Sequence, residues 1–409
     1  MRVPARFGAR VRVDAHTTPI PKTHVYDYII AGSGAAGFGL AYQMAMSPLR
    51  GKSILVVDRD AKENNDRTWC FWTAKPTQLD HLTYHTWERI EINSADFHEI
   101  YDIRPYQYKM IRGIDFYQGM RSALADVPGM EFRQARINGV GDTKDGLNAE
   151  VIIDEEPHAA RYAFDSTFKP SDYYRGPAGY HYLKQHFRGW EIETRTDCFD
   201  PSLVTLFDFR TPQKDSMRFF YVLPFTRRRA LVEYTLFSAD LLKPHEYDNA
   251  ISEYIENVLH IPKYRTDATE TGVIPMTDRP FPRKLGQRVM AIGTRGGLVK
   301  PSSGYAFLRI QNDVKAIVKS LTTYGHPFEV PTSPGRYRLF DTIMLQVMFR
   351  QGGLMSGIFT QMFARNTPQE IFRFLDETAA ISDNIRLLAS LPTAPFLKAL
   401  FRVKFLRKV

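Results

Sequence analysis

Six residues near the start of the chain, Gly32-Ser33-Gly34-Ala35-Ala36-Gly37, have the G-x-G-x-x-G spacing that cradles a pyrophosphate. They stand between an apolar run rich in β-formers, Val25 to Ala31, and a run of helix formers, Phe38 to Met46. In that setting Gly32 permits the tight turn, Gly34 lets the backbone approach the phosphates, and Gly37 lets helix and strand pack closely. The helix N-terminus then points its unpaired N–H groups at the anion. Asp58 ends the next apolar run, Ser53 to Val57, where an acid can bind the ribose hydroxyls. These residues call for a dinucleotide but do not by themselves separate FAD from NAD.

A second loop narrows the choice. Gly296, Gly297, Pro301 and Gly304 punctuate the stretch 296–305, GGLVKPSSGY, which follows a buried-strand pattern at Arg288 to Gly293 and precedes a helical one at Ala306 to Val318. Two-domain FAD proteins close over the flavin with a late strand–loop–helix of this kind, whose amides face the ribityl chain, diphosphate or ring. Alone it would be an ordinary Gly/Pro loop. Together with the first turn and Asp58 it points to FAD.

The third chemical signal is Glu233, inside Ala230 to Phe237 (ALVEYTLF). Strand alternation puts Leu231, Glu233, Thr235 and Phe237 on one face and Val232, Tyr234 and Leu236 on the other. Both faces are largely apolar, so desolvation is expected to keep this carboxyl protonated near neutrality, as a general acid requires. The alternative is a surface strand with Glu233 paired to one of Arg227, Arg228 or Arg229. Trp69 and Trp72, in the segment DRTWCFW, suit either the wall of a flat apolar ligand or a packed loop. Cys70 and Cys198 are the only cysteines and lack metal-ligand spacing, so neither a metal site nor a disulfide framework is expected.

The elements that must position these residues imply an α/β fold. A Rossmann-like FAD-binding domain would be assembled from 26–75, 119–171 and 268–325. An antiparallel-sheet substrate domain would come from 76–118 and 172–267, with Arg218 to Phe225 and Ala230 to Phe237 as a hairpin. The chain from 326 to 409 reads as helical with a basic amphipathic tail, and residues 1–25 read as a disordered extension. The formal net charge of +9 favours an acidic partner, nucleic acid or an anionic membrane surface. No run of apolar residues is long enough to span a bilayer. From Phe396 to Val409 the tail carries Lys398, Arg402, Lys404, Arg407 and Lys408, no acid, and interleaved Leu, Phe and Val. That mixture suits an anionic membrane surface, or simply a solvated helix.

Taken together, GSGAAG after YDYIIA, DRTWCFW, FYVLPF and ALVEYTLFS, then ETGVIPM (270–276) and GGLVKPSSGYAF, resemble the lycopene cyclases of the bacterial type, in the FAD-containing lycopene β/ε-cyclase family. The resemblance covers about residues 26 to 310. It implies a glutathione-reductase/hydroxylase-type two-domain flavoprotein and a redox-neutral isomerase, a lycopene β-cyclase of carotenoid biosynthesis. Such an enzyme converts the ψ ends of lycopene, and of other acyclic carotenoids, to β-ionone rings, through γ-carotene to β-carotene, using reduced FAD with NADPH as reductant. It further implies Glu233 as the catalytic acid, and Gly32, Gly34, Gly37 and Asp58 at the ADP half. Gly296, Gly297, Pro301 and Gly304 would lie near the flavin, and Trp69, Trp72 and Tyr305 would face substrate. The expected setting is cytoplasmic, at the inner face of the cell membrane, with no nucleic-acid partner. An FAD/NADPH-dependent hydroxylase or polyprenyl reductase on the same scaffold is the alternative. Two departures stand out: Asp165 is followed by Ser166-Thr167-Phe168 and not by arginine, and the last histidine is His326, so no C-terminal histidine can take part.

Overall fold

The structure, a computed structural model, describes residues 24–169 and 179–406. Of the expected N-terminal extension, residues 1–23 lie outside the described part, and Val25 already belongs to the first strand, Val25–Ala31. That strand is central to a seven-stranded sheet because it is apolar on both faces and covered on both. It pairs in parallel with Ile54–Asp58 on one side and Glu156–Asp165 on the other; Met130–Gln134 and Val289–Ala291 extend the parallel part. Ala149–Ile153 and Ile137–Asp142 complete it as an antiparallel edge.

The helices Ala35–Ala45, Gly113–Leu124 and Phe307–Tyr324 cover one face of this sheet. Phe38, Phe116, Tyr117, Ile310 and Val314 fill the layer between them. The other face is closed by Leu55, Val57, Val151 and Ile153 packing together.

A second seven-stranded sheet runs Tyr264–Thr277, Tyr182–Thr194, Arg229–Ser238, Met217–Pro224, Leu203–Asp208, Arg89–Ser94, Phe97–Asp102. All neighbours are antiparallel except Leu203–Asp208 against Arg89–Ser94. The hairpin read from the sequence is present, with Phe225 and Thr226 bonded to Arg229 at its turn. Helix Pro244–Asn257 packs on the outer face against Val222, Val232 and Leu236. The inner face, with Phe219, Tyr221, Leu231 and Phe237, meets the C-terminal helices. Because Tyr264–Thr277 is one continuous strand here, the chain leaves the antiparallel sheet after Thr277, not at the expected switch near 268.

A small sheet of Thr68–Thr73, Gln107–Arg112 and His85–Trp87 bridges the two units. Its alternation sorts the aromatic segment: Trp69 and Phe71 face Phe307, while Trp72 faces Tyr305 and Phe372. Among the described residues the C-terminal part holds five α-helices, Gly335–Gln351, Met355–Arg365, Pro368–Leu375, Ile381–Ala389 and Thr393–Phe401, the last continued by a wider helical turn over Arg402–Leu406. Thr367 caps the third of these by accepting from the Glu370 N–H, and Glu370 reaches back to the Thr367 N–H. Among the described residues no helix is long and apolar enough to cross a membrane.

Candidate active site

The glycine turn has the geometry the spacing requires. Gly32 sits at φ +97, and a side chain there would meet the Ser166 hydroxyl. A Cβ on Gly37 would lie 1.8 Å from the Gly32 carbonyl oxygen, so only glycine lets helix and turn approach this closely. A Cβ on Gly34 would meet nothing within 4 Å, so the turn borders open space at that residue. Helix Ala35–Ala45 starts with neither a side-chain cap nor an acid in its first turn, which leaves its N–H groups for an anion. Asp58 Oδ2 accepts hydrogen bonds from the Ser33 N–H (2.7 Å) and hydroxyl (3.1 Å), bracing the turn. The Ser166-Thr167 departure has a related use. Ser166 donates to the Ala31 carbonyl, and Thr167 and Arg295 hold the buried Asp165 carboxylate beneath it.

The 296–305 loop lies at the second helix start. Helix Phe307–Tyr324 is likewise uncapped and has no acid in its first turn. Gly297 and Gly304 take positive φ, +76 and +73, and the Gln185 amide oxygen occupies the space where a Gly304 side chain would be. That oxygen and the Ser303 hydroxyl are buried with no hydrogen-bond partner among the described residues. Two free helix starts, open space at Gly34 and two orphaned polar atoms, Ser303 on this loop and Gln185 on the strand against it, fit a dinucleotide cofactor. Pro301, half-buried, helps turn the loop. Among the described residues no cluster of His, Cys, Asp and Glu is arranged to hold a metal.

Glu233 is buried, which removes the surface reading. The arginines that might have paired with it are engaged elsewhere, Arg228 with Asp197 and Arg229 with Glu191. Along its row across the sheet, Tyr221 lies directly opposite on one side and Gly189 on the other, with Glu270 beyond Gly189 on the next strand. Thr235 donates to Glu233 Oε1 (2.8 Å), and Thr68 donates to Glu270 Oε2 (2.7 Å). The two carboxyls face one another within hydrogen-bonding reach. Burial first, then the neighbouring Glu270, hold the Glu233 carboxyl well above the usual carboxylate range; burial also raises Glu270. Cys70 and the hydroxyls of Tyr108, Tyr221 and Tyr305 crowd the same spot and are pushed up by burial, so they stay neutral.

Tyr221, opposite Glu233, and Phe237, farther along the same face, line a cavity of about 470 Å³. Its walls are overwhelmingly apolar. Trp72 and Tyr305 line it together with Phe359, Phe363, Phe372, Ile385, Leu397 and Leu400 of the C-terminal helices. Trp72 is held by its Nε1 donating to Asp376 (3.0 Å) and by stacking on Phe372 (4.7 Å, 9°). Trp69, expected to face substrate, does not line this cavity. The strand's alternation turns Trp69 into the nucleotide-side core, against Phe116, Tyr117 and Phe307. Sequence reading also missed Glu270, Thr68 and Gly189. Glu270 opens the distinctive ETGVIPM segment, which was the available signal.

The family model described as lycopene cyclase protein matches residues 27–401. The chain belongs to the lycopene cyclase family. Lycopene beta cyclase of the Arabidopsis thaliana chloroplast is 25% identical over 336 residues, and the match spans 62% of that protein's length. Lycopene beta-cyclase of Pantoea ananas is 22% identical over 408 residues, spanning 92% of this family member and 97% of the relative. Among solved structures, a flavoprotein/dehydrogenase from Cytophaga hutchinsonii superposes with a TM-score of 0.62 at 13% identity, covering 93% of this chain and 100% of that one. The two-sheet architecture of this lycopene cyclase family member is therefore a flavoprotein fold.

Proposed function

We propose that this chain is a lycopene β-cyclase, an FAD-dependent isomerase that cyclises the ψ ends of an acyclic carotenoid without net redox change. The observation that carries the reading is a buried carboxyl, Glu233, whose cross-strand neighbour Tyr221 lines an apolar cavity of about 470 Å³. Protonating an alkene needs a neutral, fixed acid kept from water, and a polyene needs an apolar channel. Glu233 donates its proton to the terminal double bond. The next double bond attacks the tertiary cation, and loss of a ring proton leaves the β-ring. Trp72 and Tyr305 line the cavity, and their aromatic rings would help stabilise positive charge there.

Gly32, Gly34, Gly37 and Asp58 would hold the ADP half of FAD, and Gly296, Gly297, Pro301 and Gly304 the flavin half. Reduced flavin bound there, kept reduced by NADPH, would supply negative charge to stabilise the cation. The cavity reaches Ile385 and Leu397, which are largely exposed and flanked by Arg386, Lys398 and Arg402. An apolar rim set among cations suits peripheral docking on an anionic membrane at the cytoplasmic face, from which a dissolved polyene enters directly.

The test is an anaerobic assay of the flavin-loaded protein with lycopene in anionic liposomes and NADPH. The expected outcome is a cyclic product isomeric with lycopene and no stoichiometric NADPH consumption. A product of changed mass, or one NADPH used per turnover, would replace this reading with the reductase or hydroxylase alternative.

A further inference from the structure

Strands two apart in a sheet are separated by roughly 9–10 Å, so side chains on them ordinarily cannot touch across the middle strand. Glu233 and Glu270 do so because the residue between them is Gly189, opposite both. A Cβ on Gly189 would lie 2.9 Å from Leu231 Cδ1, 3.2 Å from Glu270 Cγ and 3.4 Å from Glu233 Cβ, so the glutamates lean over the glycine. Each carboxyl has one oxygen taken by a threonine, Thr235 for Glu233 and Thr68 for Glu270. Glu270 Oε1 is left buried with no other donor among the described residues. Two ionised carboxylates would repel here; one proton between them satisfies both.

We infer that Glu270 is a positioning residue for the cyclisation acid: anchored by Thr68 and reaching over Gly189, it accepts a hydrogen bond from the Glu233 carboxyl, so that the pair carries one shared proton. This inference rests on the cyclase reading for its chemistry. Burial raises both carboxyls, and the neighbouring Glu270 raises Glu233 further, which favours a proton held within the pair. The proton count closes within the pair. The Glu233 O–H bond breaks as a C–H bond forms on the alkene, leaving two carboxylates beside the carbocation. After ring closure a ring C–H bond breaks, its electrons form the ring alkene, and the proton returns to Glu233. The other groups facing the pair are Cys70 and Tyr221, with Tyr108 and Tyr305 packed behind them, all kept neutral by burial, and the carboxylates of Glu191 and Asp66, which act on Glu270.

The experiment compares wild type, Glu233→Gln, Glu270→Gln and Glu270→Asp as flavin-loaded full-length proteins. In Glu270→Gln the amide donates to Glu233 and favours its ionised form. The alkaline limb of the kcat profile should move down by about one pH unit or more, which is about tenfold in kcat on that limb, with KM and the flavin spectrum unchanged. Glu270→Asp should move the limb back towards wild type. The infrared carbonyl band of a protonated carboxyl, expected in wild type at about pH 8 and absent from Glu233→Gln, should vanish in Glu270→Gln. A wild-type limb and a persistent band in Glu270→Gln, or a uniform loss of rate at every pH, would overturn the pair. If Glu270→Gln does not load flavin, Gly189→Ala is read the same way. Failure of wild type to cyclise would defeat the cyclase reading alone, because the infrared band still decides whether the proton is shared.

Discussion

Lys300, in the 296–305 loop, is 3% exposed and lies 3.0 Å from both Asp341 and Glu377, which belong to the C-terminal part. Arg309 adds a second cation to Glu377 at 2.8 Å, and Ser302 donates to Asp341 at 2.5 Å. This cluster fastens the C-terminal helices to the expected flavin loop. Replacing Lys300 with methionine keeps the apolar stem and removes the charge. At 3.0 Å each attraction is about 5–6 kcal/mol with an effective dielectric of about 20, offset by a desolvation cost of several kcal/mol. The expected net loss is about 3–5 kcal/mol, chiefly from leaving Asp341 buried and uncompensated.

The pH dependence follows from the directions. Burial raises Asp341 in spite of Lys300, whereas Lys300 and Arg309 outweigh burial at Glu377 and hold it below its usual value. In wild type, Glu377 therefore contributes stability above the unfolded carboxyl pKa that is lost as pH falls through its lower folded value. In Lys300→Met both carboxyls shift upward. A raised folded pKa means that protonation favours the native state, so the deficit should be largest near pH 8 and shrink towards about pH 5. Urea denaturation of the flavin-loaded proteins at both pH values measures this, and Lys300→Met/Asp341→Asn should recover part of the loss. A single variant within about 1 kcal/mol of wild type at pH 8, or a deficit that grows with acid, would refute the reasoning.

Three further outcomes are expected. Gly34→Ala should leave apoprotein stability within about 0.5 kcal/mol yet weaken FAD binding, because its Cβ enters space the protein leaves open; Gly37→Ala should lose both, since it strikes backbone. Flavin fluorescence titration and thermal unfolding separate the two. Phe372→Ala deletes a fully buried ring stacked on Trp72 and should cost about 3–5 kcal/mol, measured by denaturation. Ile381→Glu/Phe401→Glu replaces two exposed apolar residues that do not line the cavity. It should abolish co-sedimentation with anionic vesicles while activity on detergent-dispersed substrate persists; undiminished vesicle binding would remove the proposed docking face.

What the sequence determined by itself was local. The glycine turn, its flanking strand and helix, the hairpin and the alternation that buries Glu233 are all written within short windows, where steric limits on φ and the period of a strand leave few options. The tertiary structure decided what those windows could not contain. Trp69 and Trp72 are near neighbours of one type, and only the pairing of their strand with Gln107–Arg112 sends one to the nucleotide core and the other to the cavity. Asp58 could be placed at a strand end from sequence, but its bonds to Ser33 depend on how the turn folds back. Glu270 was visible as part of a distinctive segment and silent as chemistry. Its meaning arises from a register linking residues 68, 189, 233 and 270, far apart in the chain, and register between distant strands is fixed by the packing of the whole sheet.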